Sequence, residues 1–147
     1  MRWINKKFEA LSPDELYAIL RLRNEVFAVE QNCVYPDMDN KDQPAIHLMG
    51  WQDKNLVAYT RIIPAGIAYT EPSIGRVVTS SSIRRSGIGR ELMKRSLELL
   101  FKLYGKQPVR IGAQLYLQDF YTSLGFRSTG EIYLEDGIRH IEMVLTP

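Results

Sequence analysis

Apolar residues in this chain recur at two spacings, which predict an alternation of helices and strands. Helical spacing runs from Ser12 to about residue 28 and again from Gly87 to Tyr104. The first helix opens on a capping box, because Ser12 is followed three residues later by Glu15, and the second stops at Gly105. The other predicted elements are a short helix over 116–124 and strands over 2–9, 46–51, 56–63, 74–80, 108–113, 126–134 and 138–145.

The order of these elements predicts an α/β fold: one mixed sheet flanked by helices, in a single domain of residues 1–147. Residues 52–55 predict one hairpin turn, and the pair Asp136-Gly137 predicts another. Residues 30–45 are polar and predict an ordered loop with one helical turn, and residues 64–73 predict a second loop.

Composition narrows the class of protein without naming its chemistry. The chain is 45% hydrophobic and 24% charged, as soluble globular domains are. Its one cysteine, Cys33, excludes a disulfide framework within the chain, and no apolar run resembles a signal peptide or a membrane span. We therefore expect a cytoplasmic protein. The net charge of +2 is too small to support nucleic-acid binding.

Charge is nevertheless distributed unevenly along the chain. Residues 30–42 are mainly acidic and residues 84–95 mainly basic. The acidic stretch predicts either a solvated loop or a rim that attracts a cationic acceptor. It does not fit a calcium loop, because Lys41, Asp42 and Leu48 stand where such a loop needs an oxygen ligand, glycine and glutamate. We expect no metal.

The basic stretch contains a glycine-rich turn between a strand and the longest helix. Glycines let a backbone approach a ligand closely, and the free amides at a helix start favour an anion. The turn therefore predicts a phosphate or pyrophosphate cradle. It is not a P-loop, and it lacks the third glycine of a dinucleotide fingerprint, where Leu92 stands.

The turn resembles the acetyl-CoA loop of GNAT acyltransferases, with Arg84, Gly87 and Gly89 at the motif positions. A second GNAT motif follows the next strand, and its matching residues are Phe120, Tyr121, Gly125 and Phe126. Gln114 and Leu117 depart from it, since asparagine and alanine are common there.

Nearly the whole chain resembles the ElaA-like subgroup of this family. The resemblance is carried by residues 22–35, Asp37, Asp39, Asp42, His47-Leu48, residues 58–62, Gly75-Arg76-Val77 and residues 136–141. Val34 departs from the subgroup, which often has proline there.

This resemblance implies an acetyl-CoA-dependent N-acetyltransferase whose cofactor lies between two splayed strands of a mostly antiparallel sheet. Tyr121 would be the general acid that protonates the leaving thiolate, and a backbone amide around Val78 would stabilise the oxyanion. The residues implied to bind acetyl-CoA are Val77, Val78, Thr79, Arg84, Arg85, Ser86, Gly87, Ile88, Gly89, Gln114, Phe120 and Tyr121.

The general base is left open, because the fourth strand contains no acidic residue. The candidates are Glu30, His140 and Glu142. The acceptor would be a small-molecule or protein amine, and a homodimer through a sheet edge or the last strands is compatible with such folds. The alternative function is a non-catalytic module that binds acetyl-CoA and regulates a partner. A nucleic-acid binder, supported by the basic stretch alone, is a distant third.

Overall fold

Seven strands form two antiparallel sheets in the computed structural model, which describes residues 1–147. The first sheet has the order β1-β2-β3-β4, and the second has the order β5-β7-β6. The strand bounds are β1 Arg2–Lys7, β2 Ile46–Gln52, β3 Asn55–Ile63, β4 Ser73–Thr79, β5 Val109–Gln114, β6 Phe126–Glu135 and β7 Ile138–Leu145. The predicted fold class is confirmed, although the strands divide into two sheets.

The two sheets meet where β4 and β5 begin and separate as these strands continue. The amide of Arg110 donates to the carbonyl of Pro72 at 3.1 Å, next to the start of both strands. Further along, β4 carries a bulge, because Arg76 and Val77 together face the single residue Thr60 of β3. Arg76 has a φ of 49°, and bulges of this kind bend a strand away from its neighbour. The divergence opens a cleft between β4 and β5.

Three α-helices flank the sheets: α1 Pro13–Arg23, α2 Ile88–Tyr104 and α3 Gln118–Ser123. The capping box at the start of α1 is confirmed, since the Glu15 amide donates to Ser12 Oγ at 3.1 Å and the Ser12 amide to Glu15 Oε1 at 2.8 Å. The first helical region extends beyond its predicted end, because α1 continues as a π-helix over Asn24–Glu30.

The two long helices cover opposite faces of the first sheet. Ile19 and Leu22 of α1 pack on one face, together with Tyr59. Met93 and Leu100 of α2 pack in the main core on the other. On this second face, Thr60 Oγ1 and Ser96 Oγ are 2.7 Å apart, which ties α2 to β3 through buried hydroxyls.

Two loop predictions have different outcomes. The Asp136-Gly137 turn is confirmed, with positive φ values of 51° and 78° at its two residues, as a type I′ hairpin requires. The helical turn predicted within residues 30–45 is wrong, because after the π-helix the segment up to Ala45 contains no helix. Its conformation is set instead by ion pairs with distant residues, described below.

Candidate functional site

A cavity of about 660 Å³ occupies the cleft between β4 and β5. Its volume lies in the range of small-ligand pockets. The structure brings residues of both sequence motifs and two base candidates to this one cavity, whereas the predicted cofactor-binding residues Arg85, Ser86, Gly87 and Ile88 are not in its lining. The predicted residues in its lining are Glu30, Val77, Val78, Thr79, Arg84, Gly89, Gln114, Phe120, Tyr121 and His140.

The start of α2 has the geometry of an anion cradle. Gly87 precedes the helix with a φ of 83°, and the first helical hydrogen bond runs from the Glu91 amide to the Gly87 carbonyl. The amides of residues 88–90 therefore have no acceptor within the helix. Ser86, Gly87 and Ile88 border a second depression on the surface here. Arg85 has a φ of 67° and completes the turn.

Tyr121 is 5% exposed and lies in the wall of the cavity. Its ring packs edge-on against Phe120 and Phe126, with centroid distances of 5.2 and 5.9 Å. Burial, with a smaller contribution from nearby Tyr116, raises the pKa of the Tyr121 hydroxyl above its usual value. The hydroxyl therefore stays protonated at neutral pH.

His140 lies beside Gln114 in the register of β7 and β5 and is 7% exposed. Its Nδ1 is 2.8 Å from the carbonyl oxygen of Ile138, which can only accept, so Nδ1 carries a proton. In the neutral ring, Nε2 then has a free lone pair. Nε2 is 3.5 Å from Glu135 Oε2, so a proton gained there would lie beside a carboxylate.

Glu30 is engaged by a residue of the predicted cradle. Arg84 binds both of its carboxylate oxygens, at 2.7 and 2.6 Å, and also donates to the Thr79 carbonyl. The hydrogen bond from Arg84 lowers the pKa of Glu30 and makes it a weaker base. The third base candidate, Glu142, lies on β7, opposite Gly112 of β5. It is not among the residues lining the cavity.

The segment after Glu30 crosses the cleft, which the sequence did not predict. Gln31 and Gln114 exchange side-chain hydrogen bonds of 3.1 and 3.3 Å. The Cys33 thiol donates to the Asp136 carbonyl at 3.3 Å. Residues 30–33 therefore contact the cradle, β5 and the β6–β7 turn, and form one wall of the cavity.

The acidic loop is not a rim of free carboxylates. Its aspartates are bound by arginines from α1, β3 and β4. The ion pairs shorter than 3 Å are Arg23–Asp37, Arg23–Asp42, Arg61–Asp39, Arg61–Asp42 and Arg76–Asp37. These partners are far apart in sequence. The local sequence of the loop therefore shows the carboxylates but not the arginines that neutralise them.

One signal of this network was visible in the sequence. Arg23 shares helical spacing with the apolar residues Ile19, Val26 and Phe27, so it falls on the side of α1 that faces the sheet. A charged residue there is almost never fully buried unless it is paired. In the structure Arg23 is 0% exposed and contacts Asp37 and Asp42.

Comparison with known proteins agrees with this geometry. A family model described as an acetyltransferase (GNAT) domain matches residues 10–147. This chain belongs to the GNAT family. GNAT proteins use acyl-CoA, and the cleft between β4 and β5 is where the GNAT resemblance placed that cosubstrate.

The chain is also similar to individual GNAT relatives over almost its full length. It is 42% identical to the protein ElaA of Escherichia coli, over 97% of this chain and 95% of ElaA. A crystal structure of an acyl-CoA N-acyltransferase from Pseudomonas aeruginosa superposes with a TM-score of 0.93 at 42% identity, covering 99% of this chain and 100% of that one. The crystal structure of E. coli ElaA gives a TM-score of 0.91 at 41% identity, with 99% of each chain covered. The ElaA-like resemblance is therefore confirmed.

Among the helices of the structure, none combines the length and the apolar character needed to cross a lipid bilayer.

Proposed function

We propose that this GNAT protein is an N-acetyltransferase that transfers the acetyl group of acetyl-CoA to a primary amine. One observation carries the proposal: Arg84 and Gly89 of the glycine-rich turn border the same cavity between diverging strands as the buried Tyr121. The cradle amides at the start of α2 would hold the pyrophosphate, and β4 residues 77–79 would lie along the pantetheine arm. The single-domain organisation, the cytoplasmic location and a homodimeric state stay predictions.

In this proposal the amine nitrogen attacks the thioester carbonyl directly. The tetrahedral oxyanion accepts a hydrogen bond from a β4 amide around Val78. When the carbon–sulfur bond breaks, the leaving thiolate takes the proton of the Tyr121 hydroxyl. A phenol suits this step because it is protonated at neutral pH.

His140 is the base we favour among the candidates. Its Nε2 carries a free lone pair in the cavity wall, whereas both oxygens of Glu30 are bound by Arg84. Nε2 lies 3.5 Å from Glu135 Oε2. Glu30 would serve as a base only after Arg84 had moved to another anion, such as the pyrophosphate.

The proposal is tested by two measurements on the purified protein. Isothermal titration should detect acetyl-CoA at micromolar concentrations, and thiol release from acetyl-CoA should depend on an added amine. Acetyl-CoA binding without amine-dependent thiol release across a broad amine panel would favour the non-catalytic regulatory module. Absence of binding at high micromolar ligand would refute the cosubstrate assignment.

Replacing Gly87 with alanine should weaken CoA binding by about tenfold. A Cβ would meet no atom within 4 Å, but the φ of 83° is strained for alanine, at about 1–2 kcal/mol, and relaxing it turns the cradle amides away. Isothermal titration with CoA measures the effect.

Gly105→Ala is the control at the other end of α2. Gly105 has the same φ of 83° but a ψ of 163° instead of 0°, so alanine is strained there at least as much. It should lower stability and leave the CoA dissociation constant unchanged. Equal weakening by both variants would show that the effect comes from general destabilisation of α2, and would contradict the cradle.

Replacing His140 with asparagine should lower kcat by about a hundredfold. The asparagine amide can still donate to the Ile138 carbonyl, but it has no lone pair that accepts a proton at neutral pH. The assay is amine-dependent thiol release at saturating acetyl-CoA. Glu30→Gln should have a smaller effect on kcat, and the reverse order would assign the base to Glu30.

A further inference from the structure

The end of the cavity farther from the cradle is lined by a polar group of residues that acetyl-CoA does not account for. Asp39, Lys41, Gly75 and Arg76 lie here, where β4 passes the loop of residues 37–42. We propose that this group, with Arg61 beneath Gly75, binds a carboxylate of the amine acceptor. This inference rests on the proposed function and names its substrate class as amino acids or other amines bearing a carboxylate.

Charge counting favours an anion at this end. The network contains four cations, Arg23, Arg61, Arg76 and Lys41, against three aspartates. Burial alone would raise the pKa of Asp39, but hydrogen bonds and charge from Arg61 hold that pKa well below its usual range. Asp39 therefore stays ionised. With four cations and three carboxylates, the network has a formal charge of +1, which matches a monoanionic carboxylate better than a phosphate dianion.

Arg61 contributes an unpartnered donor. The residue is 3% exposed, and its Nη1 and Nη2 are bound by Asp39 and Asp42. Its Nε is buried and makes no hydrogen bond. Leaving such a donor unsatisfied costs about 1–3 kcal/mol. Arg61 itself is not in the cavity lining, so a ligand acceptor reaches its Nε only by displacing the atoms that cover it.

Gly75 lies between Arg61 Nε and the cavity and has no side chain. A Cβ built at Gly75 would lie 3.4 Å from Arg61 Nε, on the same face of the sheet. Gly75 lines the cavity and places no side chain between it and Arg61. Its φ is not in the left-handed region, so the backbone conformation does not itself require glycine here.

Two further donors border the same space. Arg76 uses Nε and Nη2 for Asp37 and Asp39, and its Nη1 forms no hydrogen bond within the protein. Lys41 Nζ is 3.9 Å from Asp39, too far for a hydrogen bond, and its side chain is 37% exposed. The two oxygens of a carboxylate can accept from several donors at once, as this arrangement offers.

The test measures binding of product analogues, so that it does not depend on turnover. A panel of N-acetyl-α-amino acids and longer-chain N-acetylamino acids is titrated into the CoA-bound protein, each beside its carboxamide. We expect at least one acid to bind about tenfold more tightly than its carboxamide. Equal binding, or no binding of any acid, would overturn the inference.

Paired variants locate the binding site. Gly75→Ala should remove the preference for the acid, and Lys41→Gln should reduce it, with CoA affinity unchanged in both. Gly130→Ala, where a Cβ meets nothing within 4 Å, and Lys54→Gln, in the exposed β2–β3 turn, should keep it. Retention of the full preference in Gly75→Ala and Lys41→Gln would overturn the site.

Failure of this inference is distinguishable from failure of the proposed function. Amine-dependent thiol release with no carboxylate preference would overturn the inference and leave the acetyltransferase standing. A carboxylate preference that Gly75→Ala abolishes, without thiol release from any amine, would support the binding site and refute the enzyme.

Discussion

Replacing Arg23 with methionine should lower the free energy of unfolding by about 3–5 kcal/mol. Arg23 is 0% exposed and bonds to Asp37, to Asp42 and to the Asp37 carbonyl. Methionine fills similar space, but Asp37 and Asp42 then each keep one arginine partner instead of two. Urea unfolding followed by circular dichroism gives the difference from the unaltered protein.

Arg21→Met is the control on the same helix. Arg21 is 71% exposed and pairs with Glu25 across one turn, a contact worth about 0.3–0.5 kcal/mol. A similar loss in both variants would mean that the buried network does not stabilise the fold. If Arg23→Met fails to fold, Arg23→Lys can be measured instead, because lysine keeps the charge without the planar guanidinium. Its loss of unfolding free energy should lie between those expected for Arg21→Met and Arg23→Met.

Residues 31–45 were predicted to form an ordered loop, but their conformation was not predicted, and the same network explains why. Local features that depend on neighbouring residues were predictable: the capping box of Ser12 and Glu15, and the turn at Asp136-Gly137. The loop depends on Arg61 and Arg76, which lie 19 to 39 residues from their aspartates. Residue spacing in the sequence does not predict such pairs, because they form only when the folded sheet places β3 and β4 beneath the loop.

The candidate site likewise has one part that was predictable from the sequence and one part that was not. The cradle was predictable because its function resides in one contiguous turn, where glycines and free helix amides have direct physical consequences. The proton acceptor was not, because its suitability depends on what surrounds it. Glu30, His140 and Glu142 were all candidates in the sequence. The Arg84 side chain and the Ile138 carbonyl distinguish the first two.

The excess positive charge beside the bulge of β4 also changes the expected acceptor. The acidic residues alone favoured a cation. Once Asp37, Asp39 and Asp42 are bound by arginines, the donors left over at Arg61, Arg76 and Lys41 favour an anion instead. The sign of the local charge was set by tertiary pairing.

Replacing Tyr121 with phenylalanine should lower kcat by about a hundredfold to ten-thousandfold while the dissociation constant for acetyl-CoA changes little. The change removes one hydroxyl and keeps the ring, which packs between Phe120 and Phe126. The leaving thiolate then has no positioned proton donor. Thiol release at saturating acceptor gives kcat, and isothermal titration gives the affinity.

Tyr17→Phe provides the comparison, since Tyr17 is 72% exposed on α1 and is not among the residues lining the cavity. It should leave both kcat and affinity unchanged. A second substrate tests the role further: a thioester whose leaving thiol has a lower pKa than CoA depends less on a proton donor. The loss of kcat in Tyr121→Phe should therefore be smaller with that thioester than with acetyl-CoA. A defect that is equally large for both thioesters would remove Tyr121 from the role of general acid, and unchanged kcat with acetyl-CoA would do so directly.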